Sequence, residues 1–487
     1  MFEEDWLVGQ SNGTFPGMGR VVGPPSLGSS NPLRRMAADV RAEMNLDVPF
    51  PPGDTFFSLK RASGFMRDPL TLLLRAYDRY GPVFTQRVFH QNIIFVLGPE
   101  ANHHLLVSNA KNYSWRHGHY GDLTPLLGDG MLAIDGAFHR VQRKAMLPMF
   151  HRERIAQAQQ LMEQEVDAAL RTWQDGTKVD LYHWTRELAL RIAMRALFGI
   201  DPDSARGRAD AAAQEFENAL SFWSKDYVLQ ILRGPGTPWA KMRAASKRLD
   251  TIIYTELTRR RASGDFGDDL LGLLLAAQDG DTIELKDRHI RDEVMTLLFA
   301  GHDTTTSTIA FLFHELSRHP EYTNSPEFDL TAALDETLRM YPPAWIGPRR
   351  SIEPATIAGV EVPGGVPVEY SSWVSHHLPD VWEDPFSFRP ERFVGANRDK
   401  IPKGAYVPFG GGSRTCIGMR FGQAEIGVIA TKILSRFRLE VDPGYELKVR
   451  QSPTIGPRHG LPVTVKAAPP AANLDRSGPI SEEPLAA

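Results

Sequence analysis

The chain has 487 residues with a formal net charge of −4, and 42% of its residues are hydrophobic and 23% charged. This is the composition of an ordinary globular protein, and its charge gives no indication of a nucleic-acid partner. The one cysteine excludes an intrachain disulfide framework and any multi-cysteine zinc or iron–sulfur site. No apolar run approaches the ~20 residues of a membrane span, and acids stand where a signal peptide would be basic. The sequence therefore predicts a soluble, cytoplasmic protein without a transmembrane anchor.

The first half of the chain is predicted to contain an irregular arm, a hairpin and a helical region. Residues 1–53 are rich in Gly, Pro and Ser and predict an irregular arm that lies on a domain. The stretch "DPLTLLLRAYDRYG" has helical spacing, and the two β-rich runs of "PVFTQRVFHQNIIFVLG" predict a hairpin behind it. From about residue 136 to 320 the apolar residues are mostly spaced as in helices, apart from the break "RGPGTPW" at 233–239.

The second half adds one long helix and a second β-rich patch. The tract from about Lys286 to His319 predicts a single helix that crosses the core and is closed by a proline. The β-rich patch follows at 356–370. In residues 467–487 the apolar residues show no regular spacing, which predicts a disordered tail. Between arm and tail, at 54–466, we therefore expect one domain that is mainly α with a small β-sheet region.

The only cysteine lies in the glycine-rich stretch "PFGGGSRTCIG", residues 408–418. Glycines permit close backbone approach, so N–H groups can point at the sulfur of Cys416, and Arg414 adds positive charge. Helical spacing resumes at "MRFGQAEIGVIATKIL", and the positive end of that helix favours a thiolate. Two alternatives explain less: a structural thiol, or a phosphate-binding loop, which requires Lys-Ser/Thr where Met419–Arg420 stand. The loop favours metal–thiolate chemistry.

This loop resembles that of the cytochrome P-450 family, the haem-thiolate monooxygenases. The family signature F-x-x-G-x-R-x-C-x-G is matched, position by position, by Phe409, Gly412, Arg414, Cys416 and Gly418. Other family motifs follow in the family's order, so the resemblance runs from roughly residue 65 to 465. It implies the cytochrome P-450 fold, with haem b (iron protoporphyrin IX) between a central oxygen-binding helix and the cysteine-loop helix. The iron ligand would be Cys416, with Phe409, Gly410 and Gly418 around the cofactor.

The stretch "FAGHDTTTS", residues 299–307, resembles the motif A-G-x-D-T-T of the family's central helix. The resemblance implies that Ala300 and Gly301 lie beside the haem, where the glycine leaves room for O₂. Thr304 would hydrogen-bond the bound oxygen, and Asp303 would relay protons. The alternative is a helical turn whose hydroxyls bond the carbonyls four residues back.

Four basic residues are implied ligands of the two haem propionates, buried anions that need cationic donors. In "GAFHRVQRKAMLPMF", residues 136–150, His139 and Arg143 share one helical face. Arg349, or its neighbour Arg350, and Arg414 would complete the set. A surface position for His139 is the alternative.

A buried structural triad is implied behind the cysteine loop. Glu336 and Arg339 in "LDETLRMYPP" resemble the family's E-x-x-R pair, and "FRPERF" would supply Arg392 as the third member, in preference to Arg389. Taken alone, an E-x-x-R pair would more often be a solvated ion pair of at most ~1 kcal/mol.

Substrate contacts are implied in four regions, although each residue could equally belong to the ordinary core. The predicted lining is mostly apolar and aromatic, which indicates a lipophilic substrate such as a terpenoid, a carotenoid or a fatty-acyl chain. The residues are Tyr113, Trp115, Tyr120, Phe222, Trp223, Tyr227, Phe299, Ala300, Ala344 to Ile346, Thr454 and Ile455.

The resemblance therefore implies a monomeric monooxygenase that inserts one atom of O₂ into a lipophilic substrate. Because the match uses nearly the whole chain, electrons from NAD(P)H would arrive through separate proteins, ferredoxin and its reductase or a flavodoxin-type donor. These would dock at the basic face near Cys416 that includes Arg420. Alternatives on the same fold are a peroxygenase or a haem-thiolate isomerase or dehydratase. More remote ones are a haem-based gas sensor and a cysteine hydrolase with Cys416 as nucleophile.

Overall fold

The computed structural model describes residues 32–46, 48–200, 215, 218–219, 222, 232–278, 285–451 and 454–468. Within them the α-helices are α1 (Pro32–Met44), α2 (Leu59–Arg67), α3 (Pro69–Tyr80), α4 (Pro99–His103), α5 (Thr124–Leu127), α6 (Gly136–Met146), α7 (Arg152–Leu170), α8 (Leu181–Phe198), α9 (Pro238–Ser263), α10 (Leu270–Gln278), α11 (Asp287–Arg318), α12 (Pro320–Asn324), α13 (Leu330–Met340), α14 (Ser372–Ser375) and α15 (Met419–Arg436).

The strands are short and form four small sheets. They are β1 (Gly53–Asp54), β2 (Val83–Val88), β3 (Gln91–Val96), β4 (Tyr113–Ser114), β5 (Lys178–Asp180), β6 (Gly347–Ser351), β7 (Ala355–Ile357), β8 (Val360–Val362), β9 (Pro367–Tyr370), β10 (Phe437–Val441), β11 (Val449–Arg450), β12 (Gly456–Pro457) and β13 (Pro462–Ala467). The largest sheet has the order β1-β2-β3-β9-β6-β4, and a three-stranded sheet has the order β10-β13-β5. The expected mainly α fold with small sheets is confirmed.

The predicted hairpin is confirmed as the antiparallel pair β2–β3, with Val83 opposite Val96 and Val88 opposite Gln91. The two residues left for the turn include Phe89, which adopts a φ of 52°. The patch predicted at 356–370 supplies the β7–β8 pair and β9, which joins the large sheet between β3 and β6. This sheet carries the segment of residues 347–351 to one end of a large internal cavity.

Helix α1 lies inside the stretch that was expected to be irregular. Its sequence, PLRRMAADVRAEM, starts with proline at the first helical position and continues with good helix formers, so the local propensity outweighs the Gly/Pro-rich surroundings. Glu43 of α1 accepts hydrogen bonds from the Asn92 backbone N–H at 2.6 Å and from Arg87 at 3.0 Å. These bonds fasten the helix to the β2–β3 hairpin. The predicted tail is described only as far as residue 468, and residues 1–31 lie outside the description.

The long helix predicted from Lys286 to His319 is confirmed as α11, Asp287–Arg318. It is buried along most of its length, and α8, α13 and α15 pack against it. Helix α15 begins three residues after Cys416, as the spacing predicted. The middle of α11 and the start of α15 therefore face one another across the centre of the molecule. Among the described residues, no helix is both long and apolar enough to cross a membrane.

Candidate active site

A cavity of about 1840 Å³ separates α11 from the cysteine loop. It exceeds the roughly 300–1,000 Å³ of common ligand pockets, so it has room for a flat cofactor and a second molecule. Most of the expected site residues line it, namely Cys416, Phe409, Gly410, Gly418, Arg414, His139, Arg143, Arg349, Ala300 and Thr304. The site residues expected from the sequence therefore surround one cavity.

The cysteine loop is closed by backbone hydrogen bonds that leave the sulfur facing the cavity. The Cys416 N–H donates to the Phe409 carbonyl at 3.0 Å. Gly412 adopts a φ of 60°, and a Cβ there would lie 2.4 Å from the Leu106 carbonyl oxygen, so this position requires glycine. The Cys416 side chain is exposed, although it lies deep in the molecule, because it opens onto the cavity. The sulfur is therefore accessible from one side only.

Burial raises the pKa of the Cys416 thiol. The backbone N–H groups of Gly418 and Met419 and the charge of Arg143 act in the opposite direction and favour the thiolate. An electropositive metal bound in the cavity would complete this stabilisation, since a metal-bound thiol is deprotonated. No group of three or more His, Cys, Asp or Glu side chains in the described ranges could hold a metal ion.

Three arginines and one histidine converge beside the cysteine loop. Arg143 donates to the Thr415 carbonyl at 2.7 Å, and Arg414 donates to the Ile134 carbonyl at 2.8 Å and to Asp135 at 3.0 Å. Among the described residues, no carboxylate lies within ion-pair distance of Arg143 or Arg349. Buried cations without counterions are costly, so this cluster fits an anionic ligand.

His139 is buried in this cluster and is not a surface residue. Burial, followed by the charges of Arg414, Arg143 and Arg140, lowers its pKa to about 3. A neutral imidazole can still donate one hydrogen bond to an acid group. Its protonation would become favourable only if an anion entered the cluster.

Arg349 and Arg350 have different partners. Arg350 donates to Asp39 at 2.7 Å, to the Gly365 carbonyl at 2.7 Å and to the His117 carbonyl at 3.0 Å. Arg349 is only 3% exposed and donates to the Pro348 carbonyl at 2.8 Å. Arg350 thus ties β6 to α1, whereas Arg349 joins the cluster of cations.

On α11, consecutive residues of the acid–alcohol motif face different surroundings. A Cβ at Gly301 would meet no atom within 4 Å, so the helix leaves open space there. The Thr304 hydroxyl, at the cavity wall, donates to the Ala300 carbonyl at 2.7 Å, which is the bond of the alternative interpretation. The motif therefore contributes open space at Gly301 and the hydroxyl group of Thr304 to the cavity wall.

The Asp303 carboxylate lies in a buried ion cluster behind the helix. Tyr182 donates to its Oδ1 at 3.0 Å, Arg450 to its Oδ2 at 3.1 Å, and Arg186 lies 3.5 Å away, while Thr454 also donates to it. Burial disfavours its ionisation, but the charges of Arg450 and Arg186 outweigh burial and hold the pKa of Asp303 below its ordinary value. No sequence motif marked Tyr182, Arg186 or Arg450, which lie far from Asp303 in the chain.

Glu336, Arg339 and Arg392, the residues expected to form a structural triad, lie together. Arg339 binds Glu336 through two hydrogen bonds of 2.7 and 2.9 Å, and Arg392 lies 3.4 Å from the same carboxylate. Arg389 contributes its backbone N–H, 2.9 Å from Glu336, and its side chain pairs with other acids. An additional residue, His376, links the triad to the cysteine loop.

Two of the expected substrate contacts are wrong, because Tyr113 and Ile455 do not belong to the cavity wall formed by the described residues. Tyr113 is buried in the core beside the large sheet, with its hydroxyl 3.1 Å from His104. Ile455 is buried in another core cluster. The other expected contacts that the structure describes do line the cavity: Trp115, Tyr120, Phe222, Phe299, Ala300, Ala344 to Ile346 and Thr454. Trp223 and Tyr227 lie outside the described residues.

Two further polar groups line the cavity that the sequence did not indicate. Burial raises the pKa of Glu425 to about 8, and Thr305 donates to it at 3.3 Å. At another part of the wall, His119 Nδ1 lies 2.5 Å from Glu369 Oε1, and His119 Nε2 lies 2.9 Å from Gln91 Oε1. The cavity wall is thus predominantly apolar, but it also carries the arginine and histidine cluster and further polar side chains.

Comparison with known proteins connects this geometry to a family. The chain matches the family model "Cytochrome P-450" over residues 49–325 and 330–462. It is similar to two proteins of Streptomyces melanosporofaciens. Cyclooctat-9-en-7-ol 5-monooxygenase is 33% identical over 66% of this chain and 75% of its own length. Cyclooctatin synthase is 32% identical over 81% of this chain and 91% of its own length.

A solved structure, retinoic acid bound cyanobacterial CYP120A1, shares the fold with a TM-score of 0.73. It is 26% identical, and the alignment covers 87% of this chain and all of the other. The family match extends over most of the chain and includes the cysteine loop, the central helix and the E-x-x-R pair. The chain therefore belongs to the cytochrome P-450 family and is a monooxygenase, an oxidoreductase that incorporates oxygen from O₂.

Proposed function

We propose that the enzyme inserts one atom of O₂ into a lipophilic terpenoid, with electrons from NAD(P)H delivered by separate redox proteins. The observation that carries the substrate class is the cavity, whose wall between α11 and the aromatic loop residues is predominantly apolar. The two Streptomyces relatives, one named for the cyclic alcohol cyclooctat-9-en-7-ol, support a cyclic terpenoid over a fatty-acyl chain or a carotenoid.

The cavity fits haem b as the cofactor. Cys416 would be its iron ligand, and the uncompensated cations Arg143 and Arg349, with Arg414 and His139, would hold its two acid groups. Phe409, Gly410, Gly418 and Ala300 would pack against its faces. When bound, a thiolate-ligated haem supplies the activation of O₂, because the sulfur donates electron density that favours O–O cleavage.

The remaining tasks fall to this chain's own residues. The apolar wall orients the substrate and excludes water. We propose that Thr304 Oγ1 holds a proton at the cavity wall once it turns from the Ala300 carbonyl. Asp303 would pass protons towards it from the ion cluster with Arg186 and Arg450. Electrons would arrive at the face near Cys416, where the exposed Arg420 could meet an acidic ferredoxin.

The first test is the optical spectrum of the purified protein after reduction with dithionite and addition of carbon monoxide. A strongly red-shifted Soret band is expected, and Cys416→Ser should abolish it while Thr415→Ser should not. Titration with cyclic terpenoids should then convert the oxidised protein from low to high spin. Protein that binds no haem, even when expressed with a haem precursor, would contradict the proposal. A spin shift with fatty acids alone would overturn the terpenoid assignment.

A further inference from the structure

We propose that Trp115 is a positioning residue for the cofactor's acid groups. Its indole ring fixes the guanidinium groups of Arg349 and Arg414, and this is a different role from the substrate contact expected from the sequence. The inference rests on the proposed haem site.

The indole of Trp115 lies against both guanidinium groups. Cζ of Arg349 is 3.4 Å from the centre of the ring, and Cζ of Arg414 is 5.1 Å from it. Tyr120 packs parallel to the indole, with ring centres 5.0 Å apart and an interplanar angle of 11°. A cation over an aromatic face is attracted by the ring quadrupole, and the attraction is larger where both are removed from water.

Arg349 is supported by aromatic side chains. It is nearly fully buried, it donates to the Pro348 carbonyl, and its guanidinium also interacts with the hydroxyl groups of Tyr120 and Tyr370. Tyr120 and Tyr370 also lie near it, with ring centres 5.9 and 5.8 Å from Cζ. Within the described part of the chain no carboxylate pairs with this guanidinium, so its charge suits an anionic ligand.

One carboxylate fastens the loop that carries Trp115 to the cysteine loop. Asp135 Oδ1 accepts from the Trp115 backbone N–H at 3.1 Å and from Arg414 at 3.0 Å. Its Oδ2 accepts from the Ser114 hydroxyl at 2.6 Å and from the Arg116 backbone N–H at 3.1 Å. The indole is thus held in a fixed position relative to Arg414.

The same loop is also pressed against the strand that carries Arg349. A Cβ at Gly118 would lie 2.9 Å from the Cα of Arg349, so the loop backbone sits directly on β6. Trp115 is therefore fixed on both sides, by Asp135 and by this backbone contact. A side chain held this tightly between the buried Arg349 and the partly buried Arg414 is suited to orienting both guanidinium groups.

The test compares Trp115→Leu, which removes the aromatic face, with Trp115→Phe, which keeps one. Trp239→Leu is the matched control, because Trp239 lines the same cavity and stacks on a different arginine, Arg233, at 4.0 Å. Two quantities are measured on the haem-loaded proteins: the rate of haem transfer to excess apomyoglobin and the midpoint potential of the iron.

Trp115→Leu should lose haem about tenfold faster than the wild type, which corresponds to about 1.4 kcal/mol. Its midpoint potential should fall, because cations that stabilise the electron-richer reduced state are no longer held close. Trp115→Phe should restore most of both properties, and Trp239→Leu should leave both unchanged. Unchanged haem transfer and potential in Trp115→Leu, with weaker binding of lipophilic ligands, would overturn the inference and restore a substrate contact. Wild-type protein without haem would instead overturn the proposed function.

Discussion

Glu336 and Arg339 form a bidentate ion pair in which neither side chain has any solvent exposure. Arg339 also donates to the His376 and Pro385 carbonyls, both at 2.8 Å. His376 in turn accepts the Val407 N–H at 2.9 Å, and its other ring nitrogen therefore donates to the Arg339 carbonyl at 3.1 Å. A continuous chain of hydrogen bonds thus runs from α13 to the segment that enters the cysteine loop.

Glu336→Gln should destabilise the protein by about 3–5 kcal/mol, because it leaves the buried charge of Arg339 without its partner. The free energy of unfolding by urea, followed by circular dichroism, measures this change. Glu446→Gln is the control, since it removes an exposed ion pair with Lys448 and should cost less than about 1 kcal/mol. Equal losses in the two variants would contradict a structural role for the triad.

Asp303→Asn should lower product formation about 100-fold while leaving haem content intact. The substitution removes the carboxylate that Tyr182, Arg450 and Thr454 contact, and with it the proposed proton route. Consumption of NAD(P)H should continue without equivalent product. Asp303→Glu should recover part of the coupling between electron supply and product, whereas a purely structural role would lower both quantities together.

Glu425 should make stability depend on pH. Because burial raises its folded-state pKa to about 8 from an ordinary value of 4.5, the folded protein binds more protons than the unfolded chain between these values. Stability is then highest below about pH 4.5 for this group and is lost as the pH rises towards 8, by at most about 5 kcal/mol. Unfolding measured from pH 5 to 9 should show this slope in the wild type and a flatter one in Glu425→Gln. An identical slope in both proteins would contradict the assignment.

Neighbouring arginines should respond differently to the same substitution. Arg349→Leu should release haem roughly 10- to 100-fold faster, because it removes a charge-assisted donor to an acid group, worth about 1.5–3 kcal/mol. Arg350→Leu removes the tie to Asp39 of α1 and should leave haem release unchanged. Transfer of haem to apomyoglobin distinguishes the two variants. Faster release from Arg350→Leu than from Arg349→Leu would reverse the assignment.

Periodicity was sufficient to predict the elements that frame the site, and local motifs predicted most of the cofactor cluster. The exceptions arise where adjacent residues face opposite ways. Thr454 lines the cavity, whereas the side chain of the next residue, Ile455, is buried in a separate core cluster. The side chains of Asp303 and Thr304 also point to different sides of α11, because consecutive helical residues are rotated by a fraction of a turn. A motif gives residue order, but the side on which each residue lies depends on packing.

Residues joined only by tertiary contacts were not predictable from the sequence. Tyr182 and Arg450 reach Asp303 from segments more than a hundred residues away, and no local pattern marks them. His376 was not predicted either, and only its hydrogen bonds distinguish it from the adjacent His377. His377 Nδ1 donates to the Trp373 carbonyl, 2.8 Å away and within one helical turn.

The carboxylate of Asp135 has a consequence for grafting loops between relatives. It secures residues 114–116 and the side chain of Arg414, which are separated by almost three hundred positions. A chimera that exchanges residues 113–127 to alter substrate range would also replace the ring that supports the cofactor's arginines. Such exchanges should therefore keep Trp115, Asp135 and Arg414 from one parent, or the yield of cofactor-loaded protein will fall before selectivity can be compared.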